Sequence, residues 1–105
     1  MSEIMLVYST TPDEETAKKF AKELVEQKLA ACVSMMPGIQ SVYRWKGAVE
    51  EATEVCLMIK TTRARFQELA SRILSLHPYD VPEIVALPVV EGLPSYLQWV
   101  GEETV

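Results

Sequence analysis

The chain is expected to fold as an α+β domain of the ferredoxin-like kind. That is a βαββαβ antiparallel sheet with two helices on one face, here with an extended hairpin and a C-terminal helix. Three observations lead there. Strand-like apolar runs and helix-period stripes follow one another in the order strand, helix, strand, strand, helix, strand. Each of the two longer helical stretches carries a single apolar stripe, so each covers one layer only. The two middle strands share a short turn and are longer than the usual ~5–6 residues.

Ile4 to Tyr8 is apolar on both faces, as a strand inside a sheet is. Thr11 is read as the N-cap of the first helix, with Pro12 in its first turn and Glu14 completing a capping box. Ala17, Phe20, Ala21, Leu24 and Val25 form its buried stripe. Ala30 to Met36 begins the first long strand. Pro37-Gly38 marks a bulge or bend, and the strand resumes through Ile39, Val42, Tyr43 and Trp45. A turn near Lys46-Gly47 sends the chain back along Val49 to Ile59. Thr61-Thr62 is read as the cap of a second helix, whose stripe is Phe66, Leu69, Ala70, Ile73, Leu74 and His77. Pro78 ends it. Ile84 to Val90 is a strand again, and Pro88 consigns it to an edge or a bulge because proline has no amide to donate. A short helix, Tyr96 to about Gly101, closes the chain.

The 105 residues suit one domain, spanning 1–105, with a core of its own. No run approaches the ~18 apolar residues of a membrane span, and the acidic start, Ser2-Glu3, does not resemble a signal peptide. A cytoplasmic address is expected, with no membrane partner. Net charge is −5 and the basic residues are dispersed, so nucleic acid is not an expected partner either. Cys32 and Cys56 lie far apart with no C-x-x-C spacing, so they are read as reduced core thiols. The methionines look scattered and are read as core filling.

Function concentrates in His77-Pro78-Tyr79-Asp80-Val81-Pro82-Glu83, which holds the sole histidine between two rigid prolines. Imidazole is the commonest transition-metal ligand, and Asp80 and Glu83 are harder partners for the same ion. One chain supplies too few ligands for a closed site, so neighbouring chains are expected to complete it. Nothing indicates a nucleophile with a paired base, so no enzyme is expected. No Gly-rich cradle is present, and no organic cofactor is expected. Lys60, Arg63 and Arg65 near a helix N-terminus offer a place for an anion. Tyr79, Tyr43, Trp45, Tyr96 and Trp99 are read as cleft or interface aromatics.

Short segments spread along the chain resemble one family, the CutA or divalent-cation tolerance proteins. They are Thr11-Pro12-Asp13, Leu29-Ala30-Ala31-Cys32-Val33, Pro37-Gly38, Ser41-Val42-Tyr43-Arg44-Trp45, Lys60-Thr61-Thr62, His77-Pro78-Tyr79 with Pro82-Glu83, and Tyr96-Leu97-Gln98-Trp99. The resemblance implies a homotrimer of ferredoxin-like subunits, shaped like the PII signalling proteins, with the long hairpins pairing strands across subunits. It also implies binding of Cu(II) or another divalent cation. At the positions of copper ligands proposed in the family this chain has Ser9, Leu76 and His77, so His77 alone of that set is a copper-binding residue type. The other reading is a PII-like signalling or scaffold trimer that holds a small ligand or a partner protein in its intersubunit clefts.

Overall fold

The structure, a computed structural model, describes residues 3–105. Its elements are β1 (Ile4–Thr11), α1 (Glu14–Glu26), β2 (Cys32–Trp45), β3 (Ala48–Thr62), α2 (Arg63–Leu76), β4 (Ile84–Pro88) and α3 (Pro94–Glu102). The sheet is antiparallel in the order β2-β3-β1-β4, which is the ferredoxin-like arrangement. Met5, Val7, Val55, Leu57 and Ile59 on one face bury Ala17, Phe20 and Leu24 of α1 and Leu69 and Ile73 of α2. Alternation turns Ile4 to the other face, where it meets Ala31 and Val100 of α3.

The β2–β3 hairpin is the long axis of a 44 × 25 × 22 Å molecule. Its two-residue turn, Lys46-Gly47, has φ of 50° and 82°. Two positive φ values give the turn the twist that suits a hairpin. The expected irregularity at Pro37-Gly38 is a register shift between Met36 and Ile39. β4 is an edge strand, so the missing amide of Pro88 breaks no ladder on its outer side. It stops at Pro88 rather than Val90.

Two expected caps differ. Thr11 stays in β1, paired with Val55 and fully buried, and its hydroxyl donates to the Asp13 carbonyl at 3.2 Å. Because the sheet holds Thr11 extended, the helix can begin only after Pro12. Asp13 is therefore the cap, its Oδ1 accepting the Thr16 amide at 2.8 Å. That amide holds the Asp13 carboxyl below its usual range. At α2, Thr62 occupies the cap position without a side-chain bond, and the Thr61 hydroxyl instead donates to the Leu29 carbonyl at 2.6 Å. The thiols are free, Cys56 buried and Cys32 partly so.

Candidate functional site

β1 ends at Thr11, opposite Val55, while β3 and β2 run on as a two-stranded ribbon. The loop His77–Glu83 crosses the end of β1 on its way from α2 to β4. Ribbon and loop enclose a cleft of about 750 Å³. Its walls include Thr10, Tyr43, Trp45, Glu54, Tyr79, Asp80 and Glu83.

His77 fixes the loop. Its backbone turns extended (ψ 135°) at the end of α2, as the residue before a proline must. The Nε2 group lies 2.7 Å from the Thr10 carbonyl, which can only accept, so Nε2 carries the proton. Nδ1 then accepts the Tyr79 amide at 3.1 Å. The buried ring stands edge-on to Phe20 and tilted against Tyr79. Both ring nitrogens are therefore engaged within the chain, and a metal could reach Nδ1 only by displacing the Tyr79 amide.

Tyr79 carries the connection onward. Its hydroxyl donates to Glu54 Oε2 at 2.8 Å. Burial, and then this bond to a carboxylate, push the phenol well above its ordinary range. Glu54 itself is buried at the floor of the cleft. Asp80 and Glu83 are exposed and make no ion pair among the described residues. No group of three His, Cys, Asp or Glu able to hold a metal ion occurs among the described residues.

The structure thus brings together His77, Tyr79, Asp80, Glu83, Tyr43 and Trp45. It leaves other candidates elsewhere. Ser9 is fully buried between Leu57 and Ile84 on the helix-covered face, its hydroxyl without a hydrogen-bond partner among the described residues. Leu76 ends α2 beside a separate small depression with Phe20. Lys60 donates to the Ser34 hydroxyl at 2.7 Å and the Met58 carbonyl at 3.2 Å. Trp99 stacks beside Tyr96 on α3. The anion reading loses two of its three charges: Arg63 forms a bidentate pair with Glu3, and Arg65 turns to Glu68 and the Lys28 carbonyl.

Glu54 is the residue that sequence reasoning missed. Its signal was an acid directly before the buried run Val55–Leu57, at the point where β1 ceases to flank β3.

Comparison with known proteins agrees with this architecture. Residues 5–103 match the family model described as CutA1 divalent ion tolerance protein. A divalent-cation tolerance protein CutA of Thermus thermophilus is 52% identical over 99% of each chain. A CutA homolog of Xenopus laevis is 50% identical over 90% of this chain, which spans 63% of that longer protein. A solved structure of the divalent cation tolerance protein from Thermus thermophilus superimposes with a TM-score of 0.95 at 51% identity, covering 97% of this chain and 99% of the other. The family's description is of a tolerance protein and names no reaction. No helix among the described residues is long and apolar enough to cross a membrane. The strand order, the site loop and the near full-length match together place the chain in the CutA1 divalent ion tolerance family.

Proposed function

We propose that the chain is a non-enzymatic, cytoplasmic homotrimer that binds divalent cations, copper first among them, with metal ligands drawn from more than one subunit. The observation that carries this reading is the placement of Asp80 and Glu83. Both carboxylates stand exposed at one cleft, outside the ion pairs formed among the described residues, and the described residues form no metal-holding group of three around them. The hairpin also exposes Val42 and Val49, surface suited to a second subunit. The family's description and the name of the Thermus thermophilus relative support a role in divalent-cation tolerance. The free thiols of Cys32 and Cys56 suit a reducing compartment.

Cu(II) calorimetry tests the reading. The Asp80→Asn, Glu83→Gln double variant should weaken binding at least tenfold with the sedimentation of the protein unchanged. His77→Ala should weaken it too. Electron paramagnetic resonance then separates the two roles of His77: nitrogen coupling to copper marks a ligand, and its absence marks a residue that only positions the loop. Undiminished binding in the carboxylate variant would sink the reading.

The cleft favours a second reading, a PII-like signalling or scaffold trimer. Its size falls within the ~300–1,000 Å³ usual for small-molecule sites.

A further inference from the structure

We propose that the cleft between the hairpin and the 77–83 loop binds a small organic ammonium ion, with Glu54 as its counter-charge and the Tyr43 and Trp45 rings as walls. The proposal develops the small-ligand reading of the cleft and does not depend on the metal reading.

The first argument is an unbalanced charge. Glu54 is only 8% exposed, and among the described residues its carboxylate accepts a hydrogen bond from the neutral Tyr79 hydroxyl and from no cationic side chain. The ion pairs among the described residues, Lys22–Glu26, Arg63–Glu3, Arg65–Glu68 and Arg72–Glu23, do not involve it. A buried carboxylate is costly unless a cation accompanies it. Glu54 borders an open cleft, so that cation can arrive from outside.

The second argument selects the class of cation. A bare metal ion needs several converging ligands, and the described residues offer no such group here. The space is also far larger than one metal ion needs. Aromatic faces beside carboxylates, here Glu54 buried and Asp80 and Glu83 exposed, are instead the surroundings that recognise alkylammonium groups. Register supplies those faces. Ile39 pairs with Glu54, Tyr43 with Glu50 and Trp45 with Ala48, so Tyr43 and Trp45 share the face of the ribbon that carries Glu54. The Lys46 ammonium already stands 5.8 Å from the Trp45 ring centre, so this ring accepts a cation of the proposed type. Val49 alternates to the opposite face and is not among the residues that line the cleft, whereas Val42 borders it.

Ligand-observed NMR with choline chloride, in the presence of EDTA, tests the proposal on the full chain. The choline methyl resonance should broaden saturably, and the neutral isostere 3,3-dimethylbutan-1-ol should not. Glu54→Gln keeps an acceptor for the Tyr79 hydroxyl but removes the charge. It and Trp45→Leu should each weaken binding by about tenfold or more. Circular dichroism checks both variants, and Trp45→Leu decides the matter if Glu54→Gln fails to fold. Three results would overturn the proposal: no broadening with the wild type, equal broadening by the neutral isostere, or wild-type affinity in the folded variants. Broadening that needs added Cu(II) would overturn it as well, and would leave the metal reading standing.

Discussion

The His77 imidazole donates from Nε2 to the Thr10 carbonyl at 2.7 Å and so ties the end of α2 to the end of β1. The same ring holds the Tyr79 amide, and Tyr79 in turn holds Glu54 of β3. A helix end, a central strand and the hairpin are thereby linked through one histidine and one tyrosine. The loop that carries Asp80 and Glu83 is set by this chain of bonds.

His77→Ala should therefore destabilise the fold, whatever its effect on metal. It removes two ring hydrogen bonds and the buried packing against Phe20. A loss of about 2–4 kcal/mol is expected. Urea denaturation should be compared at one protein concentration, because assembly adds to apparent stability. A loss under ~1 kcal/mol would show that the ring bonds contribute little net stability.

Tyr79→Phe should cost about 1–3 kcal/mol at neutral pH, since it leaves the buried Glu54 carboxylate without its donor. It should also change the alkaline limb of stability. Tyr79 has a raised folded pKa, from burial first and then from Glu54. Its contribution is complete below the free phenol value of about 10 and is lost as pH rises through the folded value. Tyr8 acts in the same direction, pushed up to about 12 by its hydrogen bond with Cys56 and then by burial. Wild-type stability should fall from about pH 10 upward. The Phe variant should fall less steeply over that range. Denaturation midpoints measured at stepped alkaline pH give the comparison, and equal slopes would refute the assignment.

The fold was legible because its signals are local and repeat over several residues. The stripe Ala17, Phe20, Leu24 marked α1, Pro37-Gly38 marked the bulge, and Pro88 marked the edge strand. The cap of α1 was not legible, because Thr11 and Asp13 are both good cap residues and only the pairing of Thr11 with Val55 excludes the first. The cleft was half legible. His77, Tyr79 and Asp80 are adjacent in sequence, whereas Glu54 reaches them only through the register of β3 on β1 and the point at which β1 stops. Ser9 shows the same effect in reverse. Strand alternation turns it into the core beneath the helices, away from the face that carries Glu54.

Assembly supplies the last prediction. Val42 is 67% exposed and Val49 65%, and alternation sets both on the ribbon face opposite Glu54, with Val42 also bordering the cleft. Two large apolar side chains this exposed on neighbouring strands are candidates for burial against another chain. Among the described residues the outer edges of β2 and β4 are also without a strand partner, and free edges invite pairing with another chain. Sedimentation at micromolar concentration should find the wild type as a trimer. Val42→Asp with Val49→Asp should shift it to monomer while circular dichroism stays unchanged, since neither side chain contributes to the core beneath α1 and α2. A trimer that survives both charges would move the interface off this face of the hairpin. A wild-type monomer would remove the intersubunit metal site with it, because Asp80 and Glu83 would then have no second chain to complete their shell.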